Sequence, residues 1–148
     1  MSKLTASQAA YIKQVQGFCE EFGMSPSYAR VFAWLLICEP EHQSAEDIQK
    51  TLRLSVGSVS SAVNVLARSG LVEKLTFPGD RRFYYRLPSD SWRKVFEQRV
   101  HSLRRAHMLA AEGLKLNPAN ERLIKMQGFY QWAEAAFTRI LNEERAAQ

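Results

Sequence analysis

The spacing of apolar residues predicts a mainly helical chain that is interrupted by one short hairpin. Over most of the sequence, apolar positions recur three and four residues apart, which is the period of an amphipathic helix. Two segments, Leu71–Thr76 and Arg82–Leu87, are instead rich in β-branched and aromatic residues and are strand-like. The fold class that follows is mainly α with a small β-hairpin.

Before the hairpin, the pattern predicts two helices ahead of the most informative segment. The first runs from Thr5 to about Phe22, and the second begins at Ser25-Pro26, with proline at its first position, and ends at Glu39-Pro40. The second helix is apolar on several sides, so we expect it to be central. The first helix has a single apolar stripe, which is formed by Ile12, Val15, Cys19 and Phe22.

After the hairpin, the pattern predicts two long helices. One is capped by Ser89 or Asp90 and runs toward Lys115, and the other restarts after Asn117-Pro118 and continues to about Glu144. Their apolar stripes carry more large side chains than a small head can cover. Self-association is the simplest way to bury them, although the helices have the alternative of folding back on their own subunit.

Residues 44–69 have the pattern of two helices joined by a tight turn. Ser44 and Asp47 have the spacing of a capping box, and the helix that they begin ends near Arg53. Leu54 is expected to fill the turn, and Ser55 is expected to cap the next helix. In that next helix, one apolar stripe is predicted for Val59, Val63 and Leu66.

The other faces of this second helix carry no acidic residue. Small polar groups there let the backbone approach phosphates and base edges, and an asparagine is able to pair with adenine. The competing interpretation is a serine-rich surface helix without a partner. As a recognition helix, its contact residues would be Ser55, Gly57, Ser58, Ser60, Ser61, Asn64 and Arg68.

The hairpin has a basic tip. Phe77–Arg81 contains the turn sequence Pro-Gly-Asp, and the hairpin carries four basic residues against Glu73 and Asp80. Arginine side chains suit the negative potential of a narrow minor groove. We therefore predict that Arg81 and Arg82 contact DNA, whereas the alternative is an ordinary solvated hairpin.

These segments resemble the MarR family of winged-helix regulators and, more narrowly, its GbsR-like branch. The resemblance rests on the runs LSVGSVS (54–60), LARSGLV (66–72) and PGDRRFYY (78–85), together with FGMSP (22–26) upstream. It implies a homodimer that regulates transcription, often in response to a small molecule. It also implies that Ser58, Ser60, Ser61 and Asn64 read the major groove, and that Asp80 orients an arginine of the wing. In place of the Leu-Thr-x-x-Gly pattern that usually follows the wing, the chain has LPSDSW (87–92).

The predicted organisation is a single unit of residues 1–148. Within it, residues 26–88 form the winged head, with the recognition helix at about 55–69 and the wing at about 71–87. Residues 1–24 and 89–148 form a helical dimerisation region. A twofold dimer would set the two recognition helices about 34 Å apart, which is one turn of DNA.

Composition narrows the classes of function. A net charge of +5 is compatible with an anionic partner. The longest apolar run is too short to span a bilayer, and no signal-peptide pattern is present, so we expect a cytoplasmic protein without a membrane partner. The two cysteines, Cys19 and Cys38, are expected to be buried thiols. The scattered histidines and the lack of catalytic or metal-binding motifs predict no enzyme, metal or cofactor.

Three further interpretations stay open. A winged helix used for protein–protein docking is the main alternative to DNA binding, and a metal sensor is a weaker one. The basic residues of 92–107 either touch phosphates that flank the site or form a solvated face. Finally, the resemblance places an effector in a cleft next to the head, where an aromatic cage would suit a quaternary ammonium ligand. Core packing is the competing role for the aromatic residues in question, which are Tyr11, Trp34, Trp92 and Trp132.

Overall fold

The structure of the protein is a computed structural model, and it describes residues 3–148. The chain divides into one compact unit that ends at Ser91 and a second that comprises Trp92–Gln148. The elements, in chain order, are α1 (Ala6–Glu21), α2 (Pro26–Ile37), β1 (His42–Ser44), α3 (Ala45–Leu52), α4 (Val56–Arg68), β2 (Glu73–Leu75), β3 (Tyr84–Arg86), α5 (Ser91–Leu116) and α6 (Glu121–Ala147). The predicted mainly helical fold with a small β-region is confirmed.

The core of the first unit is built around α2. Val31, Phe32 and Ala33 are fully buried, because α1, α3 and α4 all pack against this helix. The predicted central position of α2 is therefore confirmed. The prediction for the α1 stripe is correct for Ile12 and Cys19, which are buried, and wrong for Phe22, which is 59% exposed. Phe22 lies at the C-terminal cap of α1, where the chain turns away through Gly23 at a φ of 83°.

The sheet has three strands, so the prediction of a plain hairpin is incomplete. The strand order is β1-β3-β2, and both pairs are antiparallel. Gln43 of β1 pairs with Tyr85, which in turn pairs with Lys74 of β2. The paired segments are also shorter than the predicted 71–76 and 82–87. β1 was missed because its three residues, His-Gln-Ser, carry no apolar alternation.

In the second unit, α5 and α6 are joined by a short turn. Asn120 caps α6, and its side chain accepts hydrogen bonds from the backbone N–H groups of Arg122 and Leu123. The rings of Phe96 and Phe137 lie 5.5 Å apart, so the two helices contact each other. Large apolar side chains nevertheless stay exposed on this unit, among them Leu109 (64%) and Trp132 (67%). Within residues 3–148, no helix combines the length and the apolar character that crossing a bilayer requires.

Candidate nucleic-acid interface

The helix-turn-helix has the caps that its sequence predicts. The Ser44 hydroxyl accepts a hydrogen bond from the Asp47 N–H at 3.1 Å, and the Asp47 carboxylate accepts one from the Ser44 N–H at 3.3 Å. α3 ends at Leu52, and Arg53 takes a left-handed conformation with a φ of 53°. Only Leu54 and Ser55 then separate Arg53 from α4. The two helices are thus joined by a tight turn that is fixed at both ends.

The buried side of α4 follows the predicted stripe. Val59, Val63 and Leu66 are at most 2% exposed, and Ala62 is fully buried beside them. The helix stops at Ser69 and Gly70, where glycine takes a φ of 77°. Because this stripe packs against α2 and α3, the orientation of the opposite face toward solvent is fixed.

The outward face of α4 brings together most of the predicted contact residues. Gly57, Ser60, Ser61, Asn64 and Arg68 are exposed, whereas Ser58 is half-buried. No acidic side chain belongs to this helix. The backbone N–H groups of its first turn and its small hydroxyls are therefore accessible to an anionic partner.

The two serines at the start of α4 bind each other. The Ser55 hydroxyl accepts a hydrogen bond from the Ser58 N–H at 3.1 Å and donates one to the Ser58 hydroxyl at 2.8 Å. Ser55 is thus used as the N-terminal cap, and Ser58 keeps its own hydroxyl proton for a partner. Asn64 is less constrained, because its amide lies 3.5 Å from the Ser60 hydroxyl, at the limit of a hydrogen bond.

Val56 is an exposed residue that the sequence interpretation missed. It occupies the first position of α4 and is 67% exposed. An apolar side chain at this end of a recognition helix is suited to contact the methyl group of thymine. The available signal was its position directly after the cap, outside the buried stripe.

The wing tip is organised around Asp80. The chain reverses through Pro78 and Gly79, where glycine has a φ of 81°, and the Asp80 N–H donates to the Phe77 carbonyl at 3.1 Å. The Asp80 carboxylate accepts hydrogen bonds from the Arg82 N–H at 2.9 Å and from the Tyr84 hydroxyl at 2.6 Å. These contacts hold the hairpin in one conformation.

Arg82 also binds Asp80 through its side chain, with Nη2 2.8 Å from Oδ2. The hydrogen bonds from Arg82 and Tyr84 hold the pKa of the Asp80 carboxyl well below its usual range, and the same contact raises the pKa of Arg82. Arg81 is exposed, and it makes no ion pair with any residue of the described chain. The two arginines are therefore not equivalent, because only Arg82 shares its charge with a carboxylate.

The remaining basic residues of the hairpin have local partners. Arg86 forms ion pairs with Glu73 at 2.8 Å and with Glu41 at 2.9 Å, and these hydrogen bonds raise its pKa. The Lys74 ammonium lies 3.7 Å from the centroid of the Phe83 ring. Arg86 thus joins β2, β3 and the segment before β1, and contributes to the sheet itself.

The comparisons with known proteins identify this head. Residues 22–82, which run from the end of α1 to the wing tip, match the model of the MarR family. Residues 22–82 are thus similar to the winged helix-turn-helix of the MarR family, and we call them the MarR-family head. Since the match contains α2, α3 and α4 together with the Asp80–Arg82 contact, the MarR-family head is also the part of the chain that carries the outward face described above.

Two relatives extend the likeness beyond the MarR-family head. The chain is 31% identical over 105 residues to the HTH-type transcriptional regulator MmpR5 of Mycobacterium tuberculosis, a match that covers 71% of this chain and 64% of MmpR5. It is also similar to a crystal structure of a transcriptional regulator, with a TM-score of 0.84, 28% identity, and coverage of 95% of this chain and 99% of that one. The chain is thus similar to transcriptional regulators in sequence and fold, and it spans less than two thirds of the length of MmpR5.

Among the five lysines and arginines at 92–107, at least two form ion pairs with acids of α6 within the second unit. Arg93 forms an ion pair with Glu144, and Arg104 lies 2.6 Å from a carboxylate oxygen of Glu134. His107 contacts the other oxygen of Glu134 at 2.5 Å. These hydrogen bonds lower the pKa of Glu134. The charges of Arg93 and Arg104 are therefore offset by acids of α6, which a linear count of lysines and arginines did not reveal.

The four aromatic residues proposed for an effector cleft lie in different surroundings. Trp34 is 7% exposed and lines a cavity of about 380 Å³ with His42 and Tyr84. Trp92 lines a separate cavity of about 280 Å³ with Phe96. Tyr11, on α1, is 42% exposed. Trp132, on α6, lies beside Phe129, with 6.0 Å between the ring centroids and an angle of 39° between the ring planes.

Proposed function

We propose that this protein is a dimeric repressor of the GbsR-like branch, which binds duplex DNA in the cytoplasm under the control of a small-molecule effector. The observation that carries the proposal is the exposed, acid-free face of α4 on a MarR-family head. A major groove admits one helix, and such a face avoids repulsion between carboxylates and phosphates.

The residue roles follow from position and chemistry. Ser61 and Asn64 read base edges, because both are exposed on the same face of α4. Ser58 donates its hydroxyl proton to a base or a phosphate, and Ser60, Arg68 and the backbone at Gly57 contact the sugar–phosphate chain. In the wing, Arg81 enters the minor groove or lies along a phosphate, while Arg82 shapes the tip through Asp80.

Dimerisation is proposed from the second unit. Helices that expose large apolar residues such as Trp132, Phe129 and Leu109 need a partner to exclude water from them. A second copy of the chain also suits the twofold symmetry of operators, in which two half-sites are one helical turn apart.

Effector control is proposed from the aromatic residues. The cavity at Trp34 combines an indole with His42, Tyr84 and two carboxylates, those of Glu39 and Asp47. Arg82 also lines it, but its charge is offset by the ion pair with Asp80. Aromatic faces and carboxylates together suit an organic cation such as a quaternary ammonium. Tyr11, Trp92 and Trp132 are the other residues proposed to take part in ligand binding.

The experiment that tests the proposal starts from DNA selection, since the operator is not known in advance. Duplexes recovered from a random pool, or mapped across the genome, supply a site, and affinity is then measured at two salt concentrations. We expect binding that weakens steeply as salt rises. Asn64→Ala should lose about 1–3 kcal/mol and relax specificity at one base pair, whereas Arg81→Gln should weaken all sequences alike.

The controls separate base reading from folding. Gln131→Ala changes an exposed residue of α6 and should bind like the wild type. If no duplex binds even at low salt, the head serves as a protein–protein module and the proposal is wrong. If the wild type binds duplex, and Asn64→Ala and Arg81→Gln both bind it with unchanged affinity, the assignment of contact residues is wrong.

A further inference from the structure

A basic pocket lies at the end of α3, on the first unit, and the proposed DNA contacts make no use of it. It has a volume of about 480 Å³ and is lined by seven residues, of which Lys3, Arg30, Lys50 and Arg53 are basic and none is acidic. Lys50 also forms an ion pair with Glu46 on the surface of α3. Four basic side chains therefore line one cavity, and no carboxylate belongs to its lining.

The pocket is held in place by the fold. The Arg30 guanidinium, half-buried on α2, donates a hydrogen bond to the Leu52 carbonyl at 2.7 Å. Leu52 is the last residue of α3, and a free carbonyl there would carry the negative end of the helix dipole. Because Arg30 satisfies this carbonyl, an anion in the pocket is not repelled by the helix end. Arg30 is thus fixed and keeps the rest of its donors for a ligand.

Arg53 is held in a conformation that costs free energy. Its φ of 53° and ψ of 45° lie in the left-handed region, which glycine and asparagine adopt more readily than arginine. A left-handed residue is common at the C-terminal cap of a helix, and here the Arg53 N–H donates to the Gln49 carbonyl. At this cap the residue is an arginine, so a cation lies at the turn between α3 and α4.

We propose that this pocket binds a phosphate of the DNA backbone that flanks the base-reading surface, a role that rests on the proposed DNA-binding function. Two residues separate Arg53 from the recognition helix, and the first helix of a helix-turn-helix crosses the backbone beside the groove. Lysine supplies point charges for a phosphate, and arginine supplies donors in a fixed fork. The contact positions the head on the duplex and carries no sequence information.

Phosphate contacts are independent of sequence, so the test needs no operator. Affinity for a 30-base-pair duplex of mixed sequence is measured by fluorescence anisotropy over a series of salt concentrations. Each lost phosphate contact lowers the slope of log affinity against log salt by about 0.9. We expect Arg53→Asn to lower it by about one, and Lys50→Gln with Arg53→Asn to lower it by about two.

The variants are chosen so that folding is not lost. Asparagine tolerates the left-handed region, so Arg53→Asn should keep or raise the melting temperature while it removes the charge. Lys13→Gln is the matched control, since Lys13 is an exposed lysine of the same unit that does not line the pocket. It should leave the salt slope unchanged.

A second arm distinguishes DNA phosphate from a free anion. The amide signals of Arg53 and Leu54 are followed by NMR while the duplex, or inorganic phosphate alone, is added to the full chain. A shift with duplex together with a reduced slope in the variants supports the proposal. An unchanged slope in both variants overturns it. Amide shifts that appear with inorganic phosphate but not with duplex also overturn it, because the pocket would then bind only a free anion. If the wild type binds no duplex, the proposed DNA-binding function is itself wrong, and this outcome is distinct from the failure of the pocket proposal.

Discussion

The Arg82 guanidinium binds both oxygens of the Asp80 carboxylate, with Nε 3.1 Å from each. The Tyr84 hydroxyl donates to the same carboxylate, so one acid joins the tip of the wing to β3. A wing arginine that is positioned in this way loses less rotamer freedom when DNA arrives. Its charge is also partly offset before binding, unlike the charge of Arg81.

This contact predicts the titration of Asp80. Hydrogen bonds from Arg82 and Tyr84 hold the pKa of the Asp80 carboxyl below its usual range. Asp80 therefore stays ionised, and stays bound to Arg82, at pH values at which an ordinary aspartate is protonated. The folded-state pKa is the lower one, so the stabilisation is present above the unfolded pKa and is lost only as pH falls through the folded value. The pKa of the Asp80 carboxyl in the folded protein is measured by NMR of its carboxyl carbon as a function of pH.

Two variants show which donor is responsible. Arg82→Gln should move the pKa of Asp80 back toward its ordinary value, and Tyr84→Phe should move it by less, since Arg82 is the larger cause. A titration of Asp80 that is ordinary in the wild type, or insensitive to Arg82→Gln, would show that the contact is not formed in solution.

The sequence predicted the parts of this head that depend on local rules. The Ser44–Asp47 capping box, the Ser55 cap, the Val59–Val63–Leu66 stripe and the glycine at the end of α4 all follow from spacing within one helix. Such features require only the period of the helix and the needs of its unpaired ends. The bounds and the buried face of α4 could therefore be predicted from the sequence alone.

Features that depend on contacts between distant segments could not be predicted from the sequence. β1 pairs with β3 across 40 to 44 residues, and the Arg86–Glu41 and Arg104–Glu134 pairs join segments 45 and 30 residues apart. No local pattern encodes these distances, so the basic hairpin and the basic start of α5 both looked freer than they are. Arg30 at the end of α3 belongs to the same class.

The buried face of α4 predicts a large cost for truncation. Leu66 is 2% exposed in the packing between α4 and the other helices, so Leu66→Ala should lower the free energy of unfolding by about 2–5 kcal/mol. Ser61→Ala, on the outward face of the same helix, should stay within about 0.5 kcal/mol of the wild type. Urea unfolding followed by circular dichroism measures both. Equal effects of the two changes would mean that α4 is rotated from this orientation.

The thiols predict resistance to oxidation. Burial raises the pKa of Cys38 to about 11, and its Sγ contacts the Leu35 and Glu41 carbonyls at 3.8 and 3.5 Å. At pH 8 only about one thiol in a thousand is then a thiolate, the reactive form. Burial raises the pKa of Cys19 as well.

We therefore expect Ellman's reagent to modify both cysteines quickly in denaturant and slowly in the native protein. Hydrogen peroxide at low concentration should leave DNA binding unchanged. Fast native modification accompanied by loss of DNA binding would instead identify a redox-sensitive regulator.

The proposed dimer predicts an effect of Trp132. This side chain is 67% exposed and lies beside Phe129, which is 60% exposed, so the pair forms an apolar surface on α6. Tryptophan at the centre of an interface commonly contributes about 2 kcal/mol or more, which corresponds to about 30-fold in the dissociation constant.

We expect Trp132→Ala to shift the chain toward monomer in sedimentation velocity, while its helical circular dichroism is retained. Gln131→Ala, the adjacent exposed residue, is the control and should stay dimeric. Because two linked heads hold DNA far more tightly than one, the monomer should also lose affinity for a two-half-site duplex more than for a single half-site. A wild type that sediments as a monomer at micromolar concentration, or a Trp132→Ala variant as dimeric as its control, rules out this surface as the interface.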